Sequence, residues 1–459
     1  MLIQATKPLF PWDELEVSPT LATIRDALRA IPDAAPLDAL RRRRHNGCDT
    51  YPVPVLWGVL LLSILLRHTT TEACLEELRR NAPLRLLVGI ESEEAVPNGW
   101  NLTRFLAVLG RAPYLGLLRD VFDAMVRRLG VAVPDLGKHT AGDSTGLSGR
   151  REPDAGRAKA EVADGLPQAR GGRKEYKADD GTVTRVVEWF GYKLHLLVDV
   201  RHEVVLAYHI TDTTAGDNEY VGTLVEQARA NLPEDRVETL AYDKAADDAK
   251  VHEALHGVGI KPLIQNRACW PRDGEQEKTI GGRVPLHVVH DEAGTVYCYD
   301  TVSKTPVRRA MSYAGHEKGR GTLKYRCPAV VEGFACASNE KCNGTNSYGM
   351  TVRVRQEIDL RRFPSIPRAT PQFERLYKGR TSVERVNDRL KVFWGLDDGN
   401  VVGSRRFCAH VVAVLIVHLA FATLLAKAQR REGSFGTMTL SPIAKKLREL
   451  EGERSADSA

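Results

Sequence analysis

The stretch Tyr377-Lys378-Gly379-Arg380-Thr381-Ser382-Val383-Glu384-Arg385-Val386-Asn387-Asp388-Arg389-Leu390-Lys391 decides how the rest of the chain is read. It lies in an amphipathic segment, Gln372–Phe393, that predicts one helix. At about 100° per residue, Tyr377, Arg380, Glu384 and Lys391 fall near about 0°, 300°, 340° and 320°, a stripe about 60° wide. An acid flanked by two cations and a phenol makes an odd core stripe. It suits a carboxylate that holds a metal beside cations that hold phosphate. It also suits a salt-bridged surface helix, because Arg380 and Glu384 form an i,i+4 pair.

Two aspartates upstream bear on that choice. Asp143, in Ala141-Gly142-Asp143-Ser144-Thr145, ends a strand-like run. Asp243, in Leu240-Ala241-Tyr242-Asp243-Lys244, ends another. An acid at the carboxyl end of a sheet strand lines the functional edge of many α/β domains, although each alone also fits a turn. Three converging carboxylates repel one another unless cations sit among them. Hard oxygen ligands with room for water suit Mg2+ or Mn2+. Two such ions serve in-line displacement at a phosphodiester.

Between these acids the pattern predicts strands at 191–200 and 204–210, a helix at about 218–230, a strand at 237–243, a helix at 247–255 and a strand at 261–265. With the strand approaching Asp143, the order is β-β-β-α-β-α-β, an α/β fold class. Residues 148–180, polar and Gly-rich, read as a long loop. Residues 1–130 read as helical, with a cap at Thr69-Thr70-Thr71-Glu72. The Arg41–Arg44 run is either a solvated charge run or a phosphate-contacting arm.

The spacing Tyr377-x2-Arg380-x3-Glu384-x6-Lys391, with Asp143 and Asp243 in order before it, resembles the Tyr-Arg-Glu-Lys signature of the DDE transposases of bacterial insertion sequences. The Gly191-Tyr192-Lys193-Leu194-His195 strand and the Thr214–Asp217 segment resemble the stretch between that family's aspartates. Residues 50–105 are similar to the helical domain that precedes the catalytic domain in one branch. The resemblance implies a ribonuclease-H-like catalytic domain with a helical N-terminal domain and an insertion before the final catalytic helix. It assigns Asp143, Asp243 and Glu384 to catalysis and to Mg2+ (or Mn2+), and Tyr377, Arg380 and Lys391 to DNA. It implies cleavage at transposon ends and strand transfer into target DNA, with double-stranded DNA as partner and a homodimer assembled on it. In Asp-Lys-Ala-Ala-Asp, Asp247 and Asp248 compete with Asp243 for the second position.

The expected division is a DNA-binding and assembly domain at 1–134, the first part of the catalytic domain at 135–267, a Cys-containing insertion at 268–350, the second part at 351–428 and a charged tail at 429–459. In the insertion, Cys298, Cys327, Cys336 and Cys342 could close a tetrahedral Zn2+ site or stand as unrelated thiols. Cys48, Cys74, Cys269 and Cys408 read as ordinary core or loop residues. Trp189, Phe190 and Trp394 are candidates for holding a flipped base, or for plain core packing. His195 and His209 read as non-ligands.

With 65 basic and 59 acidic side chains the net charge is +6, too small to announce nucleic acid by itself. A 43% hydrophobic content excludes a mostly disordered chain. The first 15 residues lack a charged-then-apolar layout, which predicts cysteines that are reduced thiols or metal ligands rather than a disulfide framework, and the resemblance implies a cytoplasmic, nucleoid-associated bacterial protein. Cys408–Ala426 has nearly the length of a membrane span but reads as a buried core helix. Two other functions fit parts of the pattern. One is a Mg2+-dependent nuclease or domesticated transposase on the same fold. The other is a zinc-bearing DNA-binding regulator without catalysis.

Overall fold

The computed structural model describes residues 19–44, 51–178, 182–271, 273–398 and 401–428. The N-terminal stretch read as free of an export signal, Cys48 and the 429–459 tail lie outside the described residues.

The described chain opens with helices α1 (Pro19–Ala30), α2 (Ala34–Arg44), α3 (Val53–Leu65), α4 (Thr71–Arg80), α5 (Ala82–Leu87), α6 (Gly99–Leu109) and α7 (Tyr114–Ala132). The expected cap is present: the Thr70 hydroxyl accepts from the Ala73 N–H at 3.1 Å and starts α4. Helix α3 is apolar nearly all round because it is buried on nearly every side.

A mixed sheet follows. Its strands are β1 (His139–Ser148), β2 (Arg170–Lys177), β3 (Val183–Asp199), β4 (Val205–Thr211), β5 (Thr239–Tyr242) and β6 (Lys261–Ile264), with helices α8 (Ala155–Ala163), α9 (Asp217–Asn231) and α10 (Ala249–Gly257) between them. The long β3 runs antiparallel to β1, and its other edge pairs with β2 and then β4. Strands β1, β5 and β6 are parallel, joined through α9 and α10.

The predicted loop at 148–180 is a correction. It holds α8 and β2, and β2 pairs with Val183–Gly191 of β3. Its glycines are packing residues: a Cβ at Gly172 would lie 2.5 Å from the Trp189 ring, and one at Gly146 equally close. Trp189 thus lies across two glycines. Helix α8 also has a structural task. Its Glu161 carboxylate, 1% exposed, accepts from the Ser404 N–H at 2.9 Å and the Arg405 N–H at 3.3 Å. A carboxylate there satisfies the free donors at the start of a helix.

That helix is α15 (Ser404–Ala428). It is long and apolar enough to cross a membrane, yet 89% of its apolar window is buried inside the chain. It packs against α7, α6, α1 and α3 as well as α14 (Thr381–Trp394) and β4. One contiguous core therefore joins the N-terminal helices to the sheet. Trp394 belongs to this core, 2% exposed and stacked on Phe421 at 5.2 Å.

The insertion carries its own small core around Val288, Leu323, Val354 and Phe363. It comprises one sheet of β7 (Lys278–Thr279), β8 (Val288–His290), β9 (Val296–Tyr299) and β10 (Arg308–Ala310), and a second of β11 (Ser312–Glu317), β12 (Thr322–Arg326) and β13 (Thr351–Arg355). Short helices α11 (Pro328–Glu332) and α12 (Asn339–Asn343) lie between β12 and β13. The chain returns to the main core through a buried charge cluster. Asp247 accepts from Arg368 at 3.0 Å, Arg361 at 2.7 Å and the Arg267 N–H at 2.7 Å, with His252 at 3.0 Å.

The single helix predicted over 372–393 is likewise corrected. It is α13 (Pro371–Tyr377), a 3-10 turn at Lys378–Arg380, and α14. Gly379 permits the approach, since a Cβ there would meet Val200 Cγ1 at 2.7 Å.

Candidate active site

Strand register places the two aspartates. Thr140 pairs with Leu240 and Ala141 with Ala241 on parallel neighbours. The ladder ends there; Asp243 follows the last residue of β5, Asp143 lies inside β1, which runs on to Ser148 rather than ending at it, and the two carboxylates are near enough to repel each other. Asp143 is half-buried. Burial, and then the negative charges of Asp217 and Asp243, push its carboxyl up to about 6. Asp243 accepts from the Ala245 N–H at 2.7 Å, which turns the chain sharply at the end of β5. The two competitors are committed elsewhere. Asp247 lies in the buried cluster with Arg361 and Arg368. Asp248 caps α10 through the Lys250 N–H at 2.8 Å.

Helix α14 crosses β1 and β3. Its exposed Glu384 pairs with Arg380 at 2.7 Å. The Arg380 guanidinium also feels the Asp143 charge. Burial first, and then Asp243 and Glu384, raise the Tyr377 phenol, while Arg380 beside it pulls it down. Asp143, Asp243, Tyr377, Arg380 and Glu384 therefore share one neighbourhood. Lys391 is placed at its far end, donating to the Gly146 carbonyl at 2.8 Å. Among the described residues no three His, Cys, Asp or Glu side chains gather at metal-coordination distance. Glu384 is turned toward Arg380 instead.

Sequence reasoning missed the groups that hold this arrangement. Glu203, buried at the β3–β4 turn, binds Arg385 at 2.6 Å and also Arg389, and so ties α14 to the sheet. Behind β1, Asp217 accepts from Ser144 Oγ at 2.7 Å and Lys193 Nζ at 2.6 Å. Tyr242 is buried beside Asp217, Asp143 and Asp243, with its hydroxyl unpartnered and its phenol raised by burial and those charges. Their contacts are distant in sequence, so the signals were indirect: Lys193 and Asp217 lie in the stretches that resemble the family's, and a Cβ at Gly142, before Asp143, would lie 2.3 Å from the Tyr242 ring.

In the insertion the four cysteines line one cavity together with His287, which sequence reasoning did not single out. Cys342 Sγ lies 4.0 Å from His287 Nε2, and Asn343 Nδ2 donates to Cys327 Sγ at 3.5 Å. Burial, and then the other three thiols, push the Cys298 thiol up to about 12. Of the remaining candidates, Phe190 is half-buried, and His195 and His209 pack against Tyr220.

A family model described as a transposase DDE domain matches residues 136–420, and one described as a transposase domain matches residues 17–107. The chain belongs to the DDE transposase family. The first match spans both aspartates, the whole insertion and most of α15. This family generally works with a divalent metal and acts on DNA. Over 43 residues the chain is 37% identical to a probable signal recognition particle 19 kDa protein of Caenorhabditis elegans, a match covering 9% of this chain and 30% of that protein. It is also similar to a piggyBac transposase in a synaptic complex with hairpin DNA, at 10% identity and a TM-score of 0.36, covering 94% of this chain and 79% of that one.

Proposed function

We propose that this member of the DDE family is a DNA transposase of a bacterial insertion sequence, cutting at transposon ends and joining them to target DNA. The observation that carries the reading is the proximity of Asp143 on β1 to Asp243 just past the parallel strand β5, beside a helix that bears Glu384. The strand order β4-β3-β1-β5-β6, with β3 antiparallel and α9 and α10 as crossovers, supports a ribonuclease-H-like catalytic domain. On this reading the domains divide at 134, 267 and 428, and the expected insertion end at 350 moves past β13 and Phe363, which belong to the insertion's sheet and core.

Asp143, Asp243 and Glu384 would hold Mg2+ or Mn2+. The donor chemistry fits: two carboxylates of the sheet region and one of α14, with Arg380 among them. Two such ions activate the attacking oxygen and stabilise the leaving one in phosphodiester displacement. The chain's own part is positional. The sheet fixes the two aspartates, and Glu384 turns from Arg380 to join them. Arg380 then faces the scissile phosphate, where its planar fork suits two phosphate oxygens. Tyr377 and Lys391 line the DNA backbone on either side. Pairing two transposon ends calls for a homodimer on DNA, acting at the nucleoid in the cytoplasm.

Cys298, Cys327, Cys336 and Cys342 are proposed to hold a structural Zn2+, with His287 at the same cavity. Tetrahedral zinc sets neighbouring sulfur and nitrogen donors about 3.5 Å apart. The four cysteines and His287 line one cavity, with Cys342 Sγ and His287 Nε2 4.0 Å apart.

The test uses a plasmid carrying the DNA that flanks the gene on both sides. Asp143→Asn, Asp243→Asn and Glu384→Gln should each abolish cleavage and leave DNA binding intact. Full cleavage by any one of them overturns the assignment. Cleavage without end joining by the unaltered protein would mark a nuclease on the same fold.

A further inference from the structure

We propose that Asp217 is a positioning residue. Clamped between Ser144 and Lys193, it sets the direction of the Asp143 carboxylate from the opposite face of β1. This rests on the reading of Asp143 as a metal ligand.

Neighbouring residues on a strand point to opposite faces. Asp143 points toward the α14 side, so Ser144 points to the α9 side. Ser144 follows Asp143 directly on β1, so fixing its side chain fixes the backbone that carries the Asp143 carboxylate. Its hydroxyl donates to Asp217 Oδ1 at 2.7 Å. Asp217 itself is anchored. It begins α9, and the Lys193 ammonium reaches it at 2.6 Å while also donating to the Ala215 carbonyl at 2.9 Å. The turn into α9, strand β3 and strand β1 thus meet at one carboxylate. The ion pair has little access to water, with Lys193 18% and Asp217 14% exposed at the side chain, so it is poorly screened and geometrically firm. Burial would raise the Asp217 carboxyl, but the Lys193 and Ser144 side-chain bonds, with the Lys193 and His195 charges, hold it below the usual range. An apolar residue could fill this position without burying a charge. A carboxylate here makes directional bonds that an apolar residue cannot, and the first group beyond those bonds is Asp143.

Outer partners of metal ligands typically change metal affinity about 10–100-fold when removed. The full-length protein is therefore titrated with Mn2+ alone by calorimetry, and its plasmid cleavage is followed against Mg2+ concentration. Asp217→Asn should weaken Mn2+ binding about tenfold and raise the half-saturating Mg2+ by a similar factor. The rate at saturating Mg2+ should stay within about threefold. Two variants separate position from charge. Ser144→Ala changes no charge and should still weaken Mn2+ binding. Lys193→Met makes the site more negative, which by charge alone would tighten Mn2+; the clamp requires weakening. Tighter Mn2+ binding by Lys193→Met, or unchanged Mn2+ binding by folded Ser144→Ala, overturns the inference. A loss of rate at every Mg2+ concentration with no shift in half-saturation does the same, since that marks a merely structural role. If Asp143→Asn keeps full cleavage, the underlying site assignment has failed; if it abolishes cleavage while these variants bind metal normally, only the clamp has failed.

Discussion

The Lys391 ammonium donates to the Gly146 carbonyl at 2.8 Å, three residues beyond Asp143 on the same strand. The lysine is also 3.5 Å from Asp397, whose carboxylate accepts from the Ser148 N–H. The end of α14 is thereby fastened to the end of β1, and the fastening sets how far Glu384 stands from Asp143. Lys391→Met should cost about 1 kcal/mol in urea denaturation, the usual worth of such a bond. If the remaining ammonium donors reach a DNA phosphate, the slope of log affinity against log salt should also become shallower by about 0.9. A changed stability with an unchanged slope would confine Lys391 to the fastening.

Gly142 is set by the Tyr242 ring, which a Cβ would approach at 2.3 Å. Gly142→Ala should therefore destabilise by about 1–3 kcal/mol through overpacking. Pairing it with Tyr242→Leu should recover part of that loss, because both changes act on the same space. Equilibrium urea melts of the two single variants and the double variant check the coupling.

The Asp247 cluster predicts an acid limb. Hydrogen bonds from His252 and Arg361 hold the Asp247 carboxyl down to about 2 from the ordinary 3.8, against the burial that opposes them. A carboxyl lowered in the folded state adds stability in full above pH 3.8, and that stability is lost as the pH falls through about 2. The loss should be about 2 kcal/mol, read from denaturation midpoints across that window. Arg368 is pushed down to about 10 by burial, so it keeps its charge throughout. Arg368→Met leaves a buried carboxylate short of a partner and should cost about 3–5 kcal/mol at neutral pH, with a shallower acid limb.

The cysteine cavity predicts bound metal. Protein purified without chelator should carry one zinc per chain by atomic emission, and Cys327→Ser with Cys342→Ser should remove it and lower the melting temperature of the insertion. Zinc-free protein with unchanged melting in the double variant would leave these as independent thiols.

How far each of these features could be read from sequence follows the range of the interaction behind it. The run from Gly191 to Val200 alternates as a half-buried strand does, so that part of β3 was legible. Its extension from Val183 to Phe190 was not, because those residues are mostly exposed and their partner strand, Arg170–Lys177, carries glycines that read as loop. Residues 372–393 read correctly as helical, but the 3-10 turn at Lys378–Arg380 did not show, since it answers to Val200 on another element. Asp143, Asp243 and Glu384 were found as a pattern. Lys193 and Asp217 lay in stretches that resemble the family's, yet neither they nor Glu203 and Tyr242 were singled out, because what distinguishes each is a neighbour brought close only by folding. The same holds for His287, which joins the cysteine cavity from outside the Cys327–Cys342 run.

Helix α15 lies late in the chain, yet it fills the core that the first helices and the sheet share. The order of synthesis therefore runs against the order of packing. While the ribosome is still making residues 404–428, helices α1, α3, α6 and α7 expose the apolar faces that α15 will cover. The core cannot close until that segment has emerged. A chain cut short before residue 404 leaves the core shared by the first helices and the sheet open.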